Sequence, residues 1–256
     1  MHSTFPATLR ADFLRDGFVF LPGFLSPDEV AVVNDHLQML IRERVPAMPP
    51  EVAFYEKADD PSTLKQIQSL YNHDPLFHEM MVGSRFEELA SVLLDDAVVG
   101  KNMQYFNKPP HIGQPTPAHQ DGYYFMLDPN EAVTMWVALE PVDEENGCVR
   151  YVRGSRRRGL RPHGRTGVLG FSQGMTDFGT PEDLANEVYF PTQPGDLLVH
   201  HSLTIHRADG NASPTRTRKA LGFIYYAKRA KEDTARKQAY QQKLAEELRT
   251  NAILNR

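Results

Sequence analysis

His119, Gln120 and Asp121 place an imidazole and a carboxylate two residues apart. On an extended segment residues i and i+2 point to the same face, so the two side chains converge there. Further along, Gly195-Asp196-Leu197-Leu198-Val199-His200-His201 leads into His206-Arg207-Ala208-Asp209-Gly210-Asn211, a second source of imidazole. One histidine from that block would complete two imidazoles and one carboxylate on one face of a metal ion. Such a facial triad leaves coordination positions open and suits ferrous iron, with carboxylate as the hard donor and imidazole as the borderline one. His200, His201 and His206 are all candidates for the third position. His200 shares strand parity with His206, so periodicity does not choose between them. Arg216-Thr217-Arg218-Lys219-Ala220 follows about ten residues after His206. A guanidinium holds a carboxylate by a bidentate, charge-assisted pair. A 2-oxo diacid can therefore chelate iron at one end and meet arginine at the other.

These residues need a scaffold that brings distant segments together. Residues 8–16 read as a short helix ending at Gly17, followed by the strand-like run Phe18-Val19-Phe20-Leu21. Ser26-Pro27-Asp28-Glu29 reads as an N-cap with proline at the first helical position. Val30, Val33, Leu37, Leu40 and Ile41 carry that helix to about Arg44. Residues 45–62, rich in proline and charge, predict a surface loop, and residues 84–95 another helix. From 97 onward the texture changes. Short apolar or alternating segments lie near 97–106, 133–140, 148–153, 187–190, 196–200 and 220–227, separated by turn signals such as Glu145-Asn146-Gly147 and Pro194-Gly195-Asp196. The pattern predicts a mainly β architecture with flanking helices, an antiparallel sandwich or barrel. The charged tail from about 228 reads as one terminal helix. A single domain is expected, with a helical N-terminal part at about 1–96, a barrel core at about 97–227 and a C-terminal helix at about 228–256.

Five stretches together resemble the phytanoyl-CoA dioxygenase family, a branch of the Fe(II)/2-oxoglutarate oxygenases. They are DGFVFLPGFLSPDEV near the start, HQDGYYF at 119–125, MWVALEPVDEENGCVRYV at 135–152, PGDLLVHHSLTIHRADGN at 194–211 and RKALGFIYY at 218–226. The resemblance implies a double-stranded β-helix, the jelly-roll or cupin-like barrel. It implies Fe(II), 2-oxoglutarate and O2 as cofactor and cosubstrates, and it puts the metal ligands on His119, Asp121 and His206. The cosubstrate arginine maps to Arg218, with Arg216 as the neighbouring alternative; further cosubstrate contacts map to Gln104, Trp136 and Lys65. Two departures stand out: Ala208 where the family often has serine, and Arg153-Gly154-Ser155-Arg156 where it usually has Pro-Gly-Ser-His. The implied reaction is hydroxylation of a small organic substrate coupled to decarboxylation of 2-oxoglutarate to succinate. Related halogenases carry a small residue at the carboxylate position, so Asp121 implies the hydroxylase type.

Substrate contacts are sought beside the metal motif. Phe106 and Tyr123 are candidates for the pocket wall, Tyr123 because it shares the face of His119 and Asp121 if the strand continues. The basic stretch Arg150, Arg153, Arg156, Arg157, Arg158, Arg161 and Arg165 is locally unusual. A solvated face is its plain reading. A sharper one has Arg156, Arg161 or Lys108 meeting an anionic group on the substrate. The 256 residues carry a net charge of −5, which argues against a nucleic-acid or membrane surface. The N-terminal sequence lacks the apolar core of a signal peptide, and no apolar run approaches the roughly 18 residues a membrane span needs. One cysteine, Cys148, excludes an intrachain disulfide and fits a reducing compartment. A cytoplasmic protein is expected. Two rivals remain: a cupin-type metalloenzyme without 2-oxoglutarate, in which Arg218 and Trp136 have no required task, and a non-catalytic binding protein on the same fold.

Overall fold

The structure, a computed structural model, describes residues 5–57, 59–168, 171–240 and 242. In chain order its strands are β1 (Phe18–Leu21), β2 (Ala53–Tyr55), β3 (Leu64–Ile67), β4 (Val98–Asn107), β5 (Thr116–His119), β6 (Leu127–Asp128), β7 (Ala132–Ala138) and β8 (Val149–Val152). There follow β9 (His163–Val168), β10 (Phe171–Met175), β11 (Glu187–Phe190), β12 (Leu197–His201), β13 (His206–Ala208), β14 (Lys219–Ala227) and β15 (Lys231–Glu232). The helices are α1 (Ala7–Asp16), α2 (Pro27–Glu43), α3 (Pro75–Met81), α4 (Arg85–Leu94), α5 (Gly122–Phe125) and α6 (Pro181–Ala185).

Seven strands form the major sheet in the order β1-β12-β7-β14-β4-β3-β2, and four form the minor sheet, β11-β8-β13-β5. Every pairing is antiparallel among the described residues. Side-chain alternation gives the major sheet two distinct faces. Val133, Met135 and Val137 of β7 join Leu221, Phe223 and Tyr225 of β14 in one large core under the helices. There Phe86 of α4 stacks on Phe223 with ring centroids 4.3 Å apart. The alternate residues Thr134, Trp136, Gly222, Ile224 and Tyr226 face a cavity instead. The minor sheet covers that side: Trp136, Ala138, Leu198 and Ala220 pack with Val149 and Tyr151 in a second core. This is the antiparallel two-sheet arrangement expected from the strand pattern, in the jelly-roll form that the family resemblance implies.

Local chemistry explains the elements. α2 begins with a capping box, in which Ser26 accepts from the Glu29 amide and Glu29 accepts from the Ser26 amide. Its buried face is Val30, Val33, Leu37 and Leu40, each fully buried side chain contributing on the order of 2 kcal/mol. α1 stops at Gly17, which adopts φ 88° and donates its amide to the Phe13 carbonyl.

Three expectations change. The N-terminal part is not purely helical: β1, β2 and β3 belong to the major sheet, and the predicted loop at 45–62 contains β2 and two 3-10 turns. β1 is the strand-like run read at Phe18–Leu21, whereas β2 and β3 are three and four residues long, too short for a clear alternation. Residues 228–232 are not helical; they carry β15, which pairs with β6, and helix begins at 234. The remainder of the expected terminal helix, 241 and 243–256, lies outside the described residues.

Candidate metal and cosubstrate site

His119 ends β5 and His206 begins β13, and the two are register partners in the minor sheet. Their rings lie 4.1 Å apart between centroids. Each Nδ1 lies against the carbonyl two residues earlier, His119 on Pro117 at 2.8 Å and His206 on Thr204 at 3.0 Å. A carbonyl only accepts, so Nδ1 carries the proton and each Nε2 presents its lone pair toward the site. His163 also binds a carbonyl through Nδ1, that of Arg161, but its Nε2 accepts from the Gln120 amide and is thereby occupied.

Asp121 reaches the same point by a different route from the one expected. β5 stops at His119, and Asp121 is helical at φ −57° and ψ −31°, opening α5. The turn, not strand alternation, returns its carboxylate to the imidazoles. Oδ1 lies 3.4 Å from His119 Nε2 and 3.7 Å from His206 Nε2. One ligand atom from each of the three residues falls within 4.8 Å of the others. Oδ2 accepts from Thr134 Oγ1 at 2.5 Å and faces His200 Nε2 at 3.0 Å. His200 Nδ1 in turn faces the Tyr151 hydroxyl at 3.0 Å. His200 therefore touches the carboxylate on Oδ2, and its ring lies 4.1 Å from that of His206 between centroids.

Burial alone would raise the Asp121 carboxyl, but His206, His119 and His200 hold it well below the usual carboxylate range. Burial pushes His206 well below the ordinary histidine value, with His119 and His200 adding to the effect. A neutral His206 beside an ionised Asp121 is the pairing of protonation states a metal requires.

The cavity in front of the triad measures about 530 Å³. Gln104, Phe106, Trp136 and Arg218 line it together with His119, Asp121 and His206. Arg218 is 5% exposed, and its Nε has no hydrogen-bond partner. Its guanidinium carbon sits 5.5 Å from the Trp136 ring centroid. Burial pushes it down to about 10, so it stays charged at neutral pH. A buried cation with an unused donor, aimed into a cavity whose other end is a His-Asp-His cluster, fits a metal-chelating dicarboxylate. Gly222 shapes the floor: a Cβ there would come within 2.7 Å of the Phe106 ring.

The other expected residues lie elsewhere. Arg216 is spent on Asp143 and Glu145. Lys65 pairs with Glu56 at 3.2 Å, both side chains 8% exposed, and its neighbour Gln66 lines the cavity instead. Lys108 is buried and donates to the Asp209 carbonyl at 2.5 Å. Arg161 holds Asp183 and Asp177, and Arg156 lies over the N-terminal segment, donating to the Leu14 carbonyl at 3.3 Å. The basic stretch is largely a clasp, with Arg153 on Asp16, Arg158 on Asp183 and Arg150 on Asp209. None of Lys108, Arg156 and Arg161 lines the cavity. Tyr123 stacks on His163 at 4.5 Å, and Tyr124 takes the cavity position because α5 replaces the expected strand. Sequence reasoning missed Thr134, Tyr151, Lys101, Tyr226 and the carboxylate contact of His200. Position 134 is legible in retrospect as the inward residue two before Trp136 on β7.

The phytanoyl-CoA dioxygenase (PhyH) family model matches residues 13–220, which include the three clustered residues and Arg218. The chain belongs to the phytanoyl-CoA dioxygenase family. Mouse peroxisomal phytanoyl-CoA dioxygenase is 26% identical over 218 residues, 79% of this chain. The rice protein phytanoyl-CoA dioxygenase 1 is 31% identical over 181 residues, 66% of this chain. The chain spans 63% of the length of each of these two relatives. Among solved structures, EvdO2 from Micromonospora carbonacea var. aurantiaca complexed with 2-oxoglutarate is 27% identical. It superimposes at a TM-score of 0.70 over 91% of this chain and 94% of that one. EctD from S. alaskensis with 2-oxoglutarate and 5-hydroxyectoine shares the fold at a TM-score of 0.71 and 22% identity, covering 87% of this chain and 76% of EctD. So does the epimerase SnoN in complex with Fe3+, alpha ketoglutarate and nogalamycin RO, at 0.71 and 22%, covering 88% of this chain and 84% of SnoN.

Proposed function

We propose that this chain is a non-haem Fe(II)- and 2-oxoglutarate-dependent dioxygenase that hydroxylates a small organic substrate. One observation carries the reading: a His119-Asp121-His206 cluster and the buried, unpartnered Arg218 open onto the same cavity. His119 Nε2, His206 Nε2 and Asp121 Oδ1 would hold the iron, and Arg218 would take the far carboxylate of 2-oxoglutarate. Gln104 and Trp136 flank that position, the amide as a hydrogen-bonding group and the indole as an apolar wall under the guanidinium. The bound metal supplies activation of O2, so that one oxygen atom ends in succinate and the other in the substrate hydroxyl, with CO2 released.

The chain's own residues fix the geometry for this chemistry. Thr134 and His200 hold Asp121 Oδ2, which leaves Oδ1 as the oxygen that would meet the metal. The Pro117 and Thr204 carbonyls lock the imidazole tautomers. Tyr151 and Trp136, both buried, give the cavity an aromatic wall beside the triad. A cupin-type metalloenzyme without an oxo-acid leaves the buried charge of Arg218 without a task. EvdO2, 27% identical to this chain and solved with 2-oxoglutarate, supports the fuller reading.

Succinate formed from 2-oxoglutarate tests it. The ferrous protein in air should release succinate above background in an Fe(II)-dependent manner, and Asp121→Ala should abolish this. Equal succinate from wild type and Asp121→Ala, with iron and 2-oxoglutarate saturating, would contradict the assignment.

A further inference from the structure

The register of β4 against β14 breaks once. Ile224 pairs with Asn102, but Tyr225 pairs with Gly100, leaving Lys101 as an extra residue. A bulge of this kind re-aims a side chain and is common beside active sites. Its effect is visible on both flanks. Gly100 faces the helical core, where a Cβ would come within 2.8 Å of Met81. Lys101 and Asn102 both line the cavity, which strict alternation forbids for consecutive residues.

Lys101 stands exposed at the cavity mouth with its ammonium 5.0 Å from the Tyr226 ring centroid. Among the described residues no carboxylate lies within salt-bridge distance of it. The other cations lining the cavity are occupied. Arg207 is held by Glu187 and Asp209, and Lys237, over the same Tyr226 ring at 5.7 Å, pairs with Glu232. Arg218 is assigned above to the cosubstrate. On that assignment the charges of Fe(II), 2-oxoglutarate, Asp121 and Arg218 cancel. The mouth then retains one uncompensated positive charge, that of Lys101. Across the sheet, Asn102 is followed by Ile224 and then Thr134, which holds Asp121. Two strand spacings put the Asn102 backbone roughly 10 Å from that of Thr134.

We propose that Lys101 is the substrate-recognising cation of this enzyme, and that the substrate presents a carboxylate or a phosphonate or phosphate to it. The bulge exists to turn this ammonium into the cavity. Tyr226, flanked by two ammonium groups, supports the apolar part of the substrate between the anion and the reacting carbon. The proposal rests on the oxygenase reading for the location of the reacting carbon, and on the cavity alone for the anion site.

Calorimetric titration of the protein loaded with Fe(II) and 2-oxoglutarate under nitrogen tests it, using phenylbutyrate, phenylpropylphosphonate and the neutral phenylbutyramide as probes. At least one anion should bind about tenfold tighter than the amide, a difference of about 1.4 kcal/mol. Lys101→Met should erase that preference and Lys101→Glu should invert it, while amide binding stays unchanged. Comparing the two anions distinguishes carboxylate from phosphorus oxyacid chemistry. No anion preference in the wild type, whether the probes bind equally or none binds, overturns the proposal. So does a preference that survives in Lys101→Met. The visible band formed when 2-oxoglutarate meets the ferrous protein is recorded on the same samples. Its presence in wild type and Lys101→Met separates failure of the anion site from failure of the oxygenase reading.

Discussion

At Asp121 the two carboxylate oxygens face different partners, Oδ1 toward two imidazoles and Oδ2 toward Thr134 and His200. Groups that orient a metal ligand in this way typically contribute 10–100-fold to metal affinity. Thr134→Val should therefore weaken Fe(II) binding by about tenfold, measured by competition with a calibrated chelator, with thermal unfolding of the metal-free protein little changed. Unaltered affinity would remove Thr134 from the positioning role. The two arginines separate just as sharply. Arg218→Ala should weaken 2-oxoglutarate binding by about 2 kcal/mol or more, the scale of a buried charge-assisted pair. Arg216→Ala, which removes only exposed ion pairs, should leave it within about twofold. A larger effect at Arg216 would reverse the assignment. The sequence made the imidazole-carboxylate pair and the arginine block legible because their residue types are chemically unusual. Periodicity could not choose between His200 and His206, which have the same parity; the family resemblance named His206, and the sheet pairing places it beside His119 while His200 meets Asp121 Oδ2.

Elements translate these residues into positions through turns as much as through strands. Pro194-Gly195-Asp196 was readable as a turn, and Gly195 indeed adopts φ +90° ahead of β12. A Cβ at that residue would collide with the Leu25 carbonyl, while the Gly195 carbonyl accepts from the Leu25 amide at 2.9 Å. Gly195→Ala should thus destabilise the fold by about 2 kcal/mol or more, read as a lower denaturation midpoint. A change under about 0.5 kcal/mol would show that the loop moves aside at little expense. What the sequence hid at this scale was the end of β5. The alternation rule extended through HQDGYYF predicted Tyr123 in the pocket. The chain instead coils into α5 at Gly122, where Asn130 packs against the missing side chain, and Tyr124 faces inward. The β4 bulge was hidden for the same reason: an irregularity in pairing leaves no mark in the hydrophobic pattern of one strand.

For the whole molecule, the broad architecture followed from the spacing of short apolar runs and turns. The joining of the N-terminal strands to the major sheet did not. Their partners lie far along the chain, as in Phe18 with His200 and Gln66 with Phe106. The packing of α1 and β1 on the barrel traps His201, which meets Phe13 and accepts from the Leu203 amide. Burial, reinforced by Arg156 and His200, pushes His201 down to about 3. An unfolded histidine titrates near about 6.5. Between those values the unfolded chain binds the extra proton, so stability is complete above about pH 6.5 and falls as the pH drops toward 3. The slope from this one residue approaches ~1.4 kcal/mol per pH unit. His201→Asn, whose side-chain oxygen can accept from Leu203, should flatten the denaturant midpoint between pH 6.5 and 4.5 relative to wild type. Identical pH profiles would exclude His201 as a source of acid sensitivity. The same fold serves an epimerase, SnoN, and a carbocyclase, SnoK, in addition to EctD. The reaction outcome is thus set by the residues around the cavity rather than by the barrel. Anaerobic optical spectroscopy reads Fe(II) and 2-oxoglutarate binding by those residues. The metal-free protein reconstituted with Fe(II) should develop a weak visible charge-transfer band on adding 2-oxoglutarate. His119→Ala and Asp121→Ala should lose the band, and Arg218→Ala should need far more 2-oxoglutarate to form it. Bound iron with no band at saturating 2-oxoglutarate in the wild type would contradict the account.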